Sequence, residues 1–292
     1  MSRAFPKIWG EKMKRNDEQT EKIRRTVREG YAKVAQRSTG CGCGCGSPNQ
    51  LAKTVGYTDD DLGALPDGAN MGLSCGNPTA LASLKPGEIV LDLGSGAGFD
   101  VFITASKVGP EGRVIGVDMT PDMLDLARKN GADFRKRTGM DNIEFRLGEI
   151  EHLPVADNSV DVVISNCVIN LSPDKQQVWN EVARVLKPGG RVAVSDLALH
   201  QPLPQAVLDS VEALVSCVAG AALIDETDRM VRQAGLVDIN LESKTEYIDQ
   251  MDEWSDPLYR EIISHLPKGK TLGDYVTSLY VNARKPAGCC CG

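Results

Sequence analysis

The stretch EIVLDLGSGAGFD, residues 88–100, decides the fold, because it joins an apolar run to a glycine turn and the start of a helix. A short apolar run that ends at glycine is typical of the first strand of a parallel α/β sheet. Gly94, Gly96 and Gly98 permit a tight turn and let backbone N–H groups approach a ligand closely. The stretch therefore predicts a ligand-binding turn. A strand–helix turn without a ligand is the alternative, since many doubly wound folds contain one.

Beyond this turn, apolar strands alternate with helical patterns, as a parallel sheet with right-handed crossovers requires. Strands are predicted at GRVIGVDM, NIEFRLGEI, VDVVISN and RVAVSDLAL, and two late strands at LVDINLESKTEYI and YVTSLYVNARKP. A charged amphipathic helix is predicted over residues 11–37 and another helix over residues 206–219. The predicted fold class is α/β: a doubly wound, mostly parallel seven-stranded sheet with an N-terminal helical arm and a C-terminal elaboration.

These elements divide the chain into four parts. Residues 1–46 are predicted to form the helical arm and a cysteine–glycine tract, and residues 47–201 the ligand-binding core. Residues 202–286 form a C-terminal part with a helix and the last strands, and residues 287–292 a cysteine-rich tail. The two cysteine-rich tracts have no apolar face to bury, so neither is expected to belong to the core.

Composition limits the partners and the compartment. The chain has 292 residues and a net charge of −7, which argues against a nucleic-acid partner and against an anionic membrane surface. The N-terminus lacks the apolar region of a secretory signal, and no run is long enough to span a bilayer. We therefore expect a cytoplasmic location. Because a reducing compartment keeps thiols free, the nine cysteines are predicted not to form disulfides.

Acidic side chains surround the predicted glycine turn. Asp92 lies inside the first strand, Asp118 ends the second, and Glu149 ends the third. Asp118 stands about twenty residues past the turn, where an acidic residue reaches ribose hydroxyls. A ligand ringed by carboxylates should carry ribose and positive charge but no polyphosphate, which fits S-adenosylmethionine. The residues predicted to bind this cofactor are Asp92, Gly94, Gly96, Gly98, Asp118, Met119, Glu149, Ile150 and Asn166.

The motifs in this region resemble a known family. VLDLGSGAGFD, VIGVDMTPDML and LKPGGRVAVSD are similar to segments of the class I S-adenosylmethionine-dependent methyltransferases, which have a Rossmann-like sheet. MGLSCGNP, FRLGEIEHLPVADNSVDVVISNCVINLSPDK and VSCVAGAA resemble the arsenite methyltransferases, and this likeness extends over about residues 57–235. The resemblance implies methyl transfer from S-adenosylmethionine to trivalent arsenic, with methylated arsenicals as products and detoxification as the role.

The same resemblance implies a set of arsenic ligands. These are Cys75, Cys167 and Cys217, with a further ligand from the N-terminal tract that the match does not choose among Cys41, Cys43 and Cys45. Cys289, Cys290 and Cys291 lie outside the shared pattern, and their role stays open. A thiol reductant of the thioredoxin or glutathione type is the expected partner.

Trivalent arsenic suits this cysteine set chemically. Soft thiolates select soft centres, and three of them would hold As(III) with its lone pair free for methylation. Buried packing is the alternative for each cysteine, since free cysteine behaves as a small hydrophobe. A zinc site is disfavoured because paired CxxC spacing is absent. Two other functions remain open: methylation of a molecule without arsenic, or binding of As(III) or another soft metal without turnover.

Overall fold

The computed structural model describes residues 7–37, 48–208, 217–244, 248 and 262–288. A single sheet organises them, in the strand order β3-β2-β1-β4-β5-β8-β7, with the two-residue strand β6 beside β5. β1 to β5 are parallel, whereas β8 runs antiparallel to both β5 and β7. The strands are β1 Ile89–Leu93, β2 Arg113–Asp118, β3 Ile143–Leu147, β4 Val160–Asn166, β5 Leu186–Leu199, β6 Ala222–Leu223, β7 Val237–Lys244 and β8 Val276–Arg284. The predicted α/β class and the seven-stranded, mostly parallel path are confirmed.

Helices connect the strands and cover the sheet. The described α-helices are α1 Lys7–Arg37, α2 Pro48–Thr54, α3 Asp59–Gly63, α4 Pro78–Leu81, α5 Phe99–Val108, α6 Pro121–Thr138, α7 Lys175–Val185, α8 Gln205–Leu208 and α9 Ile224–Gln233. Two single turns of 3₁₀ helix lie at Ile169–Leu171 and Leu272–Asp274. None of the helices in the described ranges combines the length and apolarity that a bilayer-spanning helix requires.

The core forms two apolar clusters. Along β1, Val90 belongs to one cluster and its neighbours Leu91 and Leu93 to the other. β4 alternates in the same way, with Ile164 in the first cluster and Val163 in the second. Because successive side chains of a strand point to opposite faces, the sheet is buried on both sides. This two-sided burial explains the continuous apolar runs in the sequence.

One predicted helix differs from the structure. The pattern over residues 206–219 predicts a continuous helix that carries Cys217, but α8 ends at Leu208 and residues 209–216 lie outside the described ranges. Cys217 lies in a turn with φ of 65°, a left-handed conformation that a right-handed helix excludes. The small residues after it, among them Gly220, pack against the backbone of Asn170. Cys217 itself therefore lies in a turn.

Arg191 anchors the segment that precedes β1. Its guanidinium donates to both carboxylate oxygens of Glu88, at 2.7 and 2.8 Å, and to the backbone oxygens of Ala82 and Ser83, at 2.5 and 3.0 Å. The Arg191 and Glu88 side chains are only 17% and 14% exposed. A bidentate pair with little solvent contact is the geometry in which an ion pair contributes most. Arg191 thus ties β5 to the chain between α4 and β1.

We expect Arg191→Met to lower the free energy of unfolding by about 3 kcal/mol, because it leaves the half-buried Glu88 carboxylate without its partner. Urea denaturation followed by circular dichroism measures this change. Arg113→Met is the matched control, since Arg113 pairs with Glu144 at an exposed position and its loss should cost less than about 1 kcal/mol. Equal effects of the two substitutions would contradict this assignment.

Candidate active site

The glycine turn after β1 is built as the sequence predicts. Gly94 and Gly96 have φ of 65° and 50°, and a Cβ on Gly94 would clash with the side chain of Val168. The Gly96 N–H donates to Asp118 Oδ2 at 2.9 Å, and the Thr120 N–H donates to Asp118 Oδ1 at 2.8 Å. The Asp118 carboxylate therefore fastens the turn after β1 to the end of β2.

A crevice of about 1030 Å³ opens at the carboxyl edge of the parallel strands. This is where ligands of open α/β sheets bind. Seven of the nine predicted cofactor residues line it: Asp92, Gly94, Gly96, Asp118, Met119, Ile150 and Asn166.

Gly98 and Glu149 lie outside this lining. Gly98 begins α5 with φ of 94° and packs against Phe102. Glu149 pairs instead with Arg24 and Arg28 of α1, at 3.5 Å each. Gly98 therefore packs against a side chain of its own helix. The carboxylate of Glu149 faces α1, a contact that the sequence does not predict.

Three carboxylates give the crevice its charge. Burial raises the pKa of Asp92 well above its usual range, and the charges of Asp100 and Asp118 raise it further. Burial also raises the pKa of Asp118, against the N–H donors of Thr120 and Gly96. It raises the pKa of Asp100 to about 6, although Tyr57 and Asn166 donate hydrogen bonds that oppose the shift. A cationic ligand would favour the ionised forms of all three groups.

The burial and the hydrogen bonding of these residues fit S-adenosylmethionine as the ligand. Asp92 is 3% exposed and lines the crevice, and its carboxylate has no hydrogen bond to any described residue. The Ser95 hydroxyl, at the same turn, is also buried without a partner in the described part of the chain. Buried polar groups need partners. A ligand with an ammonium group, a sulfonium and ribose hydroxyls could supply them.

Helix α1 forms one wall of this crevice, which the sequence did not predict. Arg24, Val27 and Tyr31 line it, and Val27 is fully buried. Arg24 also reaches the buried Glu151 at 3.6 Å. The spacing of the apolar residues predicts an amphipathic face on α1. It does not predict the surface against which that face packs. The arm therefore packs over the ligand crevice.

The three predicted arsenic ligands lie together. Cys75, which is 1% exposed, and Cys167 have Cα atoms 6.1 Å apart and are joined by a disulfide bond. Cys217 is a buried free thiol whose Sγ donates to the backbone oxygen of Cys167 at 3.0 Å. The prediction that the cysteines form no disulfides is wrong for this pair, because the fold brings their sulfurs within bonding distance. Cys41, Cys43, Cys45, Cys289, Cys290 and Cys291 lie outside the described residues.

Backbone contacts fix the cysteine positions. The Cys167 N–H donates to the Ser195 backbone oxygen at 2.8 Å, and Cys167 adopts a left-handed φ of 56° at the end of β4. The Cys75 N–H donates to Asn166 Oδ1 at 3.2 Å, and the Ser278 hydroxyl donates to the Cys75 backbone oxygen at 2.9 Å. Residues from β4, β5 and β8 therefore converge on the cysteine group.

Asn166 connects the cysteine group to the crevice. Its Nδ2 donates to Asp100 Oδ2 at 3.0 Å, to the Tyr57 hydroxyl at 3.1 Å and to the Gly76 backbone oxygen at 3.0 Å. The Tyr57 hydroxyl in turn donates to Asp100 Oδ1 at 2.6 Å. Tyr57 and Asp100 were not predicted as site residues. The signal for Asp100 was a carboxylate in the first turn of a helix that is otherwise buried.

Asp196 is a third residue near the site that the sequence did not predict. One of its carboxylate oxygens and the Sγ atoms of Cys75 and Cys167 all lie within 4.8 Å of one another. Burial raises the pKa of Asp196 to about 6, opposed by the Leu197 and Asn170 N–H donors. Burial also raises the pKa of the Cys217 thiol well above its usual range, and the charge of Asp196 adds to that shift. The available signal was an aspartate inside the apolar strand pattern RVAVSDLAL.

Comparison with known proteins places this site in a family. Residues 84–235 match the family model described as a methyltransferase domain. The arsenite methyltransferase of Halobacterium salinarum is 44% identical over 93% of this chain and 68% of its own length. That of Aquipseudomonas alcaligenes is 36% identical over 74% of this chain and 62% of its own length. The chain therefore spans about two thirds of the length of these relatives.

A solved structure extends the similarity to three dimensions. It is the crystal structure of an arsenic(III) S-adenosylmethionine methyltransferase from Chlamydomonas reinhardtii, which is 33% identical and aligns with a TM-score of 0.57. The alignment covers 80% of this chain and 72% of the algal chain. The methyltransferase domain includes the whole carboxyl edge of the sheet that forms the crevice. The chain belongs to the arsenite methyltransferase family, a group of S-adenosylmethionine-dependent enzymes.

Proposed function

We propose that this protein methylates arsenite to mono- and dimethylated arsenicals, with As(III) bound by the thiolates of Cys75, Cys167 and Cys217. The observation that carries the proposal is the convergence of three cysteines, from distant parts of the chain, beside one cofactor crevice. Cysteines that served only as apolar packing would have no reason to meet at the ligand edge of the sheet. Cys167 itself lines the crevice, so a substrate on its sulfur lies at the crevice wall.

Arsenite binding by these thiols is a ligand exchange. Each thiol replaces one hydroxyl of arsenous acid, and its proton leaves with that hydroxyl as water. The disulfide between Cys75 and Cys167 must therefore first be reduced, with two electrons and two protons. We propose a thiol reductant of the thioredoxin or glutathione type, acting in the cytoplasm, for this step. The buried free thiol of Cys217 completes the set of three donors.

The chain's other residues prepare the cofactor site. S-adenosylmethionine, when bound, supplies a methyl group carried on a sulfonium. Asp118 would accept hydrogen bonds from ribose hydroxyls, and the backbone of Gly94 and Gly96 permits the close approach of that ligand. Asp92 and Asp100 provide buried carboxyl groups whose ionised forms a bound cationic cofactor would favour. Arg24, Val27 and Tyr31 of α1 cover the crevice and limit the entry of water.

We expect Cys167→Ser to abolish methylation of both arsenite and a monomethylated arsenical, because Cys167 contacts each of the other two cysteines. A monomethylated As(III) has only two positions left for thiolates, so a pair of cysteines that includes Cys167 must hold it. Cys217→Ser is expected to have the same effect, whereas Cys75→Ser should impair arsenite methylation more than that of the monomethylated substrate. Arsenic speciation after incubation with reduced protein, cofactor and each substrate measures these rates.

Serine keeps nearly the same volume but is a harder and rarely ionised donor, so the variants should fold. Circular dichroism and cofactor affinity are the controls for each variant. A folded Cys167→Ser variant that methylates either substrate at the wild-type rate would refute the thiolate assignment.

We also expect the affinity for S-adenosylmethionine to increase about tenfold between pH 5 and pH 7. Asp100 has a pKa of about 6 in the free protein, and a bound cation lowers that pKa. Binding below pH 6 must therefore release protons. Calorimetry in two buffers with different ionisation enthalpies measures both quantities. Proton uptake, or an affinity that falls as pH rises, would show that these carboxylates do not meet the cofactor's charge.

A further inference from the structure

Asp196 is a buried carboxylate beside the cysteine group that neither cofactor binding nor arsenite binding requires. It is 6% exposed and lies in β5, directly after the Ser195 whose backbone oxygen accepts from Cys167. One of its oxygens lies within 4.8 Å of the sulfurs of both Cys75 and Cys167. An arsenic atom bonded to both sulfurs would lie at a comparable distance from this carboxylate.

Among the described residues, no cation bonds directly to Asp196. Its hydrogen-bond donors are neutral N–H groups: Asn170 N at 3.2 Å, Asn170 Nδ2 at 2.8 Å and Leu197 N at 2.8 Å. Lys175 contributes a favourable charge from farther away, and its Nζ donates to the Ser172 backbone oxygen at 2.9 Å. The carboxylate is thus fixed in orientation and keeps most of its negative charge.

This position is unfavourable for free thiolates. The charge of Asp196 raises the pKa of the Cys217 thiol, in the same direction as burial and against Tyr31 and Lys175. An anion beside three cysteines therefore makes the ligands harder to ionise. A site that only had to bind arsenite would gain from a neutral or positive residue here. We therefore expect the carboxylate to stabilise a state of the site other than the free thiolates or the bound arsenite.

The methyl transfer supplies such a state. As(III) bound by three thiolates is neutral, and its lone pair forms the new As–C bond. The bond between the methyl carbon and the sulfonium sulfur breaks, and its electron pair stays on that sulfur. Arsenic therefore becomes a methylated tris-thiolate cation with one positive charge. We propose that Asp196 is the fixed anion that stabilises the positive charge developing on arsenic.

This inference rests on the proposed function and assigns it a further residue. Only an interaction that is stronger in the transition state than in the ground state accelerates a reaction. The carboxylate meets a neutral arsenic before methyl transfer and a cationic arsenic after it. A fixed charge in a dry site needs no reorganisation as the reaction proceeds. Asp196 thus disfavours ionisation of the free thiols and stabilises the positive charge that forms on arsenic.

The substitution Asp196→Asn tests this role, because it removes the charge and nearly keeps the shape. Three quantities are measured on the fully reduced protein. They are the rate at which iodoacetamide alkylates Cys217, the affinity for arsenite without cofactor, and the single-turnover rate of methylation. We expect alkylation to become several-fold faster, arsenite affinity to be equal or higher, and methylation to slow by about 10²-fold. A merely structural role would also speed alkylation, by loosening the buried site, but it would lower arsenite affinity together with the rate, whereas the proposed role leaves that affinity equal or higher.

The double variant Asp196→Asn with Asn170→Asp is the matched control. Asn170 Nδ2 donates to Asp196 Oδ1 at 2.8 Å and to the Leu197 backbone oxygen at 2.6 Å, so exchanging the two residues keeps a hydrogen bond between them and returns one carboxylate to the adjacent position. We expect it to fold even if the single variant does not, to alkylate slowly again and to recover a large part of the methylation rate. Circular dichroism and cofactor affinity confirm the fold of each protein.

Several results would overturn the inference. One is a folded Asp196→Asn variant with the wild-type single-turnover rate. Another is a loss of arsenite affinity as large as the loss of rate, which would make Asp196 a residue for binding. A double variant that folds but recovers no rate also counts against it. If the wild-type protein itself forms no methylated arsenic, the proposed function fails, and that outcome is visible before any variant is compared.

Discussion

The side-chain amide of Asn166 is the connection on which the rest of the site depends. Its oxygen accepts from the backbone of Cys75, and its nitrogen donates to Tyr57 and to Asp100, which lines the cofactor crevice. Because Asn166 ends β4 and directly precedes Cys167, one residue sets the distance between thiols and crevice. An amide can do this because it donates and accepts at once and carries no charge that burial would penalise.

The site has two regions that differ in their electrostatics, the cofactor crevice and the cysteine group. The crevice collects Asp92, Asp100 and Asp118, whose raised pKa values reflect the cost of burying three carboxylates without a cation. A cationic cofactor relieves that cost, so the three carboxylates favour its binding. Within the described part of the chain, the cysteine group has one neighbouring carboxylate, Asp196, to which we assign the charge that forms on arsenic. In this account, the crevice carboxylates face the positive charge of the cofactor, and Asp196 faces the positive charge that forms on arsenic.

The sequence predicted the elements whose signals are local. Apolar runs located the parallel strands, and glycine spacing located the turn, because both depend on neighbouring residues. The pattern over residues 206–219 predicts a helix through Cys217, whereas the structure places Cys217 in a left-handed turn whose Gly220 packs against Asn170. The disulfide, the α1 wall and the roles of Asp100 and Asp196 depend on contacts between distant segments. No spacing rule along the chain encodes those contacts.

The coordination of arsenic tests the central claim most directly, since everything else in the account depends on three thiolates meeting one As(III). X-ray absorption spectroscopy at the arsenic edge, on reduced protein with one equivalent of arsenite and no cofactor, reports the atoms bonded to arsenic. The account predicts a first shell of three sulfurs without oxygen, and replacement of one sulfur by oxygen in Cys75→Ser, Cys167→Ser or Cys217→Ser. A shell that retains oxygen in the wild-type protein, or one that does not change in these variants, would contradict it.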